Sequence, residues 1–329
     1  PHGFKPAVPS IDLSTIAGQI TALRSPAVNV RHLGFRSLRS AGTKALPAVK
    51  NLLRDQNQWV AARAVWLLPY LGEEGIATCF TRLKDKRSQH RVLAYRALRR
   101  AGHDMIPHAR LLARDPSPQV RREVALSLRD LPASRTSSIF VDLARRCNTT
   151  DKNSLEAIGL GAANQESTIW TALHEALQPG PPAAWPESFA RLTWRLWGAA
   201  SLDHLKARAT DLSLSLDQRK FAIESIAFVD NERASRIMLE LASEGSPVKG
   251  EATAWLLRNA AGEWARYDLA KGLKERGIYD PESIALVAAP VPSPPGPAPE
   301  VEEILKLKGN PSRGRTTAAR CILCHQIDG

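Results

Sequence analysis

The sequence predicts an all-α chain built as a solenoid, and three observations carry that expectation. Leucines and glycines recur every thirty residues along the first half. The recurring unit carries apolar residues at helical spacing. Aromatic residues, which enrich strands, make up only 6% of the 329 residues. Apolar residues reach 43%, enough for a packed core and too many for wholesale disorder. Four cysteines in this length exclude a disulfide-built scaffold. The longest uncharged run, Ser283 to Pro299, is full of proline and cannot span a membrane as a helix.

The repeat is the first element to justify. Ser25, Asp55, Asp85 and Asp115 stand thirty apart, and so do Leu38, Leu68, Leu98 and Leu128. Gly42, Gly72 and Gly102 keep the step, with Pro132 in the fourth place. Val30, Val60 and Val120 match, and His90 fills the third slot. Each unit reads as two helices. Val60, Ala64, Val65 and Leu68 form one stripe, and Leu46, Val49, Leu52 and Leu53 form the stripe of a second helix. The aspartates sit just ahead of a helix, where a short side chain can cap backbone N–H groups. The glycines follow the stripe, where a left-handed turn favours them. A helix pair this small cannot bury its own stripe, so neighbours must stack, in a right-handed array.

Asp115-Pro116-Ser117-Pro118-Gln119-Val120-Arg121 and the related Ser25-Pro26-Ala27-Val28-Asn29-Val30-Arg31 resemble HEAT-like repeats. The likeness runs through residues 10–147 and continues in degenerate form over 148–280, after a short linker at 1–9. It implies an α-solenoid scaffold and little about function, since such arrays serve many uses. Gln178-Pro179-Gly180-Pro181-Pro182 reads as a loop within the degenerate part.

Charge is uneven. The chain carries +12 overall, yet residues 1–150 hold 25 Lys+Arg against 10 Asp+Glu, and the remainder is slightly acidic, at −3. A basic solenoid could grip a nucleic-acid backbone, as HEAT-like DNA glycosylases do. The plainer reading is that arginine suits solvated helix faces and that Arg31, Arg91 and Arg121 belong to the repeat itself. Nucleic acid is therefore not the expected partner.

After Tyr279 the composition changes. Ala289 to Pro299 holds six prolines in eleven residues, a stiff extended linker assigned to 281–300. The segment 301–329 that follows ends in Cys321-Ile322-Leu323-Cys324-His325, the attachment signature of c-type haem. Two thiols three residues apart can reach the two vinyl groups of one porphyrin. The adjacent His325 then offers an imidazole nitrogen to the iron. A zinc site would need a second pair of ligands at suitable spacing, and a redox dithiol would need a preceding strand. Cys79, in the repeat place of Val49 and Ala109, reads as a small core residue. Met105 and Met238 read as core, the histidines at 90, 103, 108, 174 and 204 as lone structural or exposed groups. The tryptophans 170, 185, 194, 197, 255 and 264 read as core of the irregular repeats. No acid–base pair, activated nucleophile or phosphate loop is recognisable in residues 1–300.

Gly309 to Arg315, followed by Ala318-Ala319-Arg320, resembles the first helix of a cytochrome c domain, and Asp328-Gly329 the turn after its histidine. HEAT-like repeats, a proline linker and a CxxCH segment in that order resemble the Pirellula/Verrucomicrobium-type haem-binding, membrane-bound dehydrogenase-like family. That resemblance implies haem c with its iron, electron transfer to redox partner proteins, and a periplasmic or exported parent with oxidoreductase activity. It also implies a dehydrogenase-like propeller ahead of Pro1 and the rest of a cytochrome beyond Gly329, so that the sequence reads as a fragment. Two other readings stand beside it. One is a basic HEAT scaffold binding nucleic acid or another polyanionic or protein partner. The other is a HEAT-like lyase acting on a tetrapyrrole, which would leave the Cys321-Cys324-His325 set without a role. About thirty residues cannot enclose a porphyrin, so residues 300–329 are expected to be poorly packed.

Overall fold

The computed structural model describes residues 10–280, 300–306 and 308–318. The chain divides into two compact units, Pro1–Asp280 and Pro281–Gly329. Among the described residues there are helices and connecting turns and no strands. The all-α solenoid is therefore what the first unit forms.

The first helix of each unit keeps the thirty-residue register in the backbone, while the second helices start within a few residues of it. Helix α1 (Ile16–Arg24) opens the array. The first helices of the next four units begin at residues 28, 58, 88 and 118: α2 (Val28–Ala41), α4 (Gln58–Leu67), α6 (Ser88–Arg100) and α8 (Pro118–Ser127). Their partners are α3 (Leu46–Leu52), α5 (Glu73–Thr81), α7 (Ile106–Leu112) and α9 (Ala133–Arg145). Proline at the start of α3 and α7 suits a first turn, whose N–H groups have no intrahelical acceptor.

The degenerate half continues the alternation with uneven steps. It comprises α10 (Lys152–Gly161), α11 (Glu166–Leu177), α12 (Glu187–Leu196), α13 (Leu202–Thr210), α14 (Leu216–Ala227), α15 (Glu232–Leu241), α16 (Lys249–Ala260) and α17 (Ala270–Glu275). Local chemistry starts several of these helices. Asp151 and Asn231 cap α10 and α15, and Ser215 with Gln218 forms a capping box on α14. The expected loop holds Gln178 and Gly180, both at positive φ, before a short 3-10 turn at Pro182–Ala184.

The even-numbered helices α2 to α16 form one continuous layer, each packed on the next. In the other layer, α7, α9 and α11 adjoin in order. Leu38, Leu68, Leu98 and Leu128 are all essentially buried between the layers, as are Val49, Cys79 and Ala109 in the facing helices. One close approach depends on a missing side chain. A Cβ on Gly161 would sit 2.1 Å from the Ala125 carbonyl oxygen, so only glycine lets α10 lie so near α8.

Turn chemistry departs from expectation in two places. Gly42, Gly72 and Gly102 do take positive φ, but in the fourth unit Pro132 cannot, and Asp130 takes it instead at φ 69°. The repeat aspartates also do not cap the helix directly. Asp55, Asp85 and Asp115 each accept from the N–H two residues on, at Asn57, Arg87 and Ser117, and so close the turn that leads into the helix.

A polar ladder joins some of these turns. Arg91 donates from Nε and Nη2 to the two carboxylate oxygens of Asp115 in the following unit, at 2.8 and 2.6 Å, and from Nη1 to the Asp85 carbonyl. Arg31 and Arg121 likewise donate to carbonyls of their own preceding turns. In the second unit Ala61 occupies this place. Asp85 consequently has no ladder arginine. Its carboxylate meets His90 Nδ1 at 3.1 Å, with Arg82 and Arg87 further off, and a cavity of about 430 Å³ opens alongside, lined in part by Ala61, Trp59 and His90.

Arg91 and Asp115 are almost wholly buried, so removing one leaves an uncompensated charge. Arg91→Ala is expected to cost about 3–5 kcal/mol. Arg233→Ala, which breaks an exposed pair with Asp203, is expected to cost under about 1 kcal/mol. Urea denaturation of both variants measures the difference.

Candidate functional site

Cys321, Cys324 and His325 lie outside the described residues, and so do the proline run 281–299 and Asp328-Gly329. What is described leads up to them. Helix α18 (Val301–Leu305) and helix α19 (Pro311–Ala318) belong to the second unit. Asn310 Oδ1 accepts from the Arg313 N–H at 3.0 Å and so caps α19, and Pro311 follows where a first helical turn tolerates it. Thr316 and Thr317 return their hydroxyls to carbonyls four residues back. Neither helix has a buried residue, and Val301, Ile304 and Leu305 are all exposed.

The two thiols of the first unit belong to the packing. Cys79 is fully buried, its Sγ 3.8 Å from the Ala94 carbonyl oxygen, and burial pushes its thiol up to about 12. Cys147 is partly buried, and burial raises it to about 11. A thiol held protonated is a poor nucleophile and a poor metal ligand. Met105 and Met238 are core residues. Among the described residues no three of His, Cys, Asp and Glu gather as a metal site would need.

The histidines are less solitary than their sequence positions imply. His90 pairs with Asp85, and His103 and His108 pack on Phe80 with ring centres 5.7 and 4.7 Å away. His174 on α11 and His204 on α13 lie 4.9 Å apart, ring centre to ring centre. Both sit against Trp170 and Trp185, with Phe189 beside His174 and Arg208 one turn along from His204. His174 Nε2, His204 Nδ1 and Arg208 Nε are buried without a hydrogen-bond partner. Burial pushes the His204 imidazole below the ordinary histidine range; His174 adds to the shift and Asp203 opposes it. Thirty residues separate the two histidines in the chain, the step of the regular repeat, so the repeat register itself is the signal for the pairing.

The tryptophans divide. Trp170, Trp185 and Trp264 are core, as expected, and their indole N–H groups donate to Thr193, Gly180 and Val229. Trp197 is not core: it is 40% exposed. It terminates α12 in the left-handed region, at φ 49°, which turns the side chain outward.

Much of the basic first half is occupied internally. Arg24 pairs with Asp55, Arg96 with Glu123, Arg114 with Asp142, Arg122 with Asp151 and Arg135 with Asp104. Arg63 donates to the Leu23 carbonyl across forty residues. These side chains join one unit to the next.

No known family matches the chain by sequence, and neither does any curated protein. Among solved structures the chain is similar to a crystallised engineered protein, at 17% identity, covering 79% of this chain and 82% of that one, with a TM-score of 0.35. A likeness that slight carries no argument about fold or function.

Two outcomes follow from the buried groups. Native protein treated with iodoacetamide at pH 8 should leave Cys79 and Cys147 unmodified, and both should react once urea unfolds the chain; peptide mass mapping reads the result. Between the lowered His204 value in the folded chain and the ordinary value near 6.5 in the unfolded one, the unfolded chain binds more protons. Stability is therefore complete above that ordinary value and falls as pH drops below it. Melting temperatures between pH 5 and 8 should show this loss, and His204→Phe should flatten it.

Proposed function

We propose that this chain is an electron-transfer segment in which an α-solenoid carries a covalently attached c-type haem. The observation that carries the reading is the set Cys321-Ile322-Leu323-Cys324-His325, placed directly after a helix with an asparagine cap and an N-terminal proline. The donor set fits the group by its chemistry. Two thiols at a three-residue step can each form a thioether to one porphyrin, and the neighbouring imidazole can ligate iron. When bound, such a haem supplies one-electron exchange at its iron.

In this reading Cys321 and Cys324 fix the group to the chain, and His325 holds the iron from one side. The solenoid serves as a spacer and docking platform between an upstream oxidation site and redox partner proteins. Haem attachment of this kind takes place outside the cytoplasmic membrane, so the parent is read as periplasmic or exported. Cys79 and Cys147 are poor competitors for the attachment, because burial keeps both protonated.

The rival reading, a scaffold for a polyanion, draws on the basic first half. It is weakened because so many of those arginines already neutralise carboxylates or bind carbonyls inside the array.

Expression of the full-length parent with periplasmic maturation tests the proposal. A pyridine haemochrome spectrum of the c type is expected, with haem staining that survives a denaturing gel. Cys321→Ala/Cys324→Ala should abolish the stain while leaving the helical circular-dichroism signal of the solenoid unchanged. A colourless mature protein with both cysteines intact, or one that holds zinc there, refutes it.

A further inference from the structure

Three successive even-numbered helices carry a rail of aromatic rings. Trp197 closes α12, Phe228 closes α14, and Trp255 lies on α16. Trp197 and Phe228 are both 40% exposed and stack nearly parallel, 5.8 Å apart at 10°. Phe228 and Trp255 are also 5.8 Å apart, inclined at 57°. An exposed ring at a protein surface normally stands singly; here two exposed rings touch each other, with the partly buried Trp255 beside them, and make a patch.

The rail is held from behind. The Arg195 guanidinium lies 4.7 Å from the Trp197 ring centre and is fixed by Glu156, with its Nε 2.8 Å from the carboxylate. The Trp194 ring meets Phe228 edge-on at 5.9 Å, and its indole N–H donates to Glu224. Such backing keeps the rings in place before anything binds.

Trp197 itself is strained. Its φ of 49° is one that glycine adopts freely and a bulky residue rarely does. A glycine stands next to it, yet Gly198 has φ −77° and does not use its freedom. Gly198 is there for space: a Cβ would sit 3.1 Å from the Glu166 backbone. That accounts for the glycine, while Trp197 packs on Arg195 and Phe228 and still stays 40% exposed. Backbone strain kept at an exposed aromatic residue points to a ligand.

A cavity of about 540 Å³ opens beside the rail, walled by Trp197, Phe228 and Trp255, with Asp230, Arg258 and Glu263 among its polar groups. Arg258 is a donor. Glu263 is an acceptor with no hydrogen-bond or ion-pair partner among the described residues, and the Trp197 and Trp255 indole N–H groups are also without one. The site thus offers flat apolar faces flanked by both donors and acceptors, with cationic and anionic groups mixed.

We propose that this rail and cavity bind a neutral oligosaccharide. The C–H face of a pyranose ring is flat and apolar and suits an aromatic face. Its hydroxyls both donate and accept, so they can satisfy Glu263 and Arg258 together. A row over three repeats suits a chain of sugars better than a single one. Single-stranded nucleic acid would also stack, but its phosphates would meet Asp230 and Glu263 in the acidic half of the chain. A proline-rich peptide also seeks aromatic grooves, but it offers few donors, and covering the Glu263 carboxylate without a donor is costly; Asp230 is already met by Arg266 and Tyr267.

Calorimetric titration of the full chain with cellohexaose, xylohexaose, mannohexaose and maltohexaose tests the proposal, with no haem signal involved. At least one is expected to bind with a Kd of about 1 mM or tighter. Trp197→Gly should weaken that binding at least tenfold while the melting temperature stays within about 3 °C, because glycine relieves the strained φ as the ring contacts are lost. Trp255→Ala should weaken it similarly, and Trp59→Ala, at an exposed tryptophan 67% open elsewhere on the solenoid, should not. Absence of binding by all four sugars overturns the proposal. So does binding that survives Trp197→Gly, or tighter binding of a dT oligonucleotide or a decaproline peptide at the same rail.

Discussion

No helix pair in this chain can bury its own apolar stripe, and everything else follows from that shortage. Each pair must borrow a cover from the next, so the thirty-residue step has to hold in space as well as in sequence. The even-numbered helices meet the requirement as an unbroken layer from α2 to α16. Leu38, Leu68, Leu98 and Leu128 disappear from solvent at equivalent places in it. Polar groups reinforce the same joints: Arg91 reaches Asp115 one unit on, and Arg63 reaches back to the Leu23 carbonyl. The stacking term is local, and a long array is stabilised by summing it.

Legibility in the sequence tracked regularity. Where the step was thirty, helix starts, left-handed glycines and the buried place of Cys79 could all be read, because one physical environment recurs at each period. Where the step varied, beyond residue 148, composition still indicated helices but could not say which residues meet. His174 and His204 stand thirty residues apart, the repeat's own step, but the loop and short turns between α11 and α13 obscure that register. Trp197 looked like core because a large aromatic in an apolar context usually is. Only the backbone reveals that it ends a helix in a left-handed conformation. The reading of Cys321, Cys324 and His325 differs in kind: it rests on spacing alone, and those residues lie outside the described ones.

Charge needed the structure most. A first half with 25 basic and 10 acidic residues suggests an open cationic face. In the folded chain, many of those arginines act as connectors between units, and their long stems cover apolar joints on the way. Net charge thus overstated what an outside partner would meet. The acidic second half holds the aromatic rail and the buried histidine pair.

The array is not uniform along its length. Where Ala61 stands in place of a ladder arginine, the Asp85 turn loses its tie to the unit before it, and a cavity lies beside the joint. In a quasi-one-dimensional chain, mechanical load and denaturant act at the weakest coupling between neighbours rather than on the average. At the joint between the second and third units, the tie that Arg91 makes to Asp115 one unit further on has no counterpart, and the packing of α4 on α6 has to hold the neighbours together.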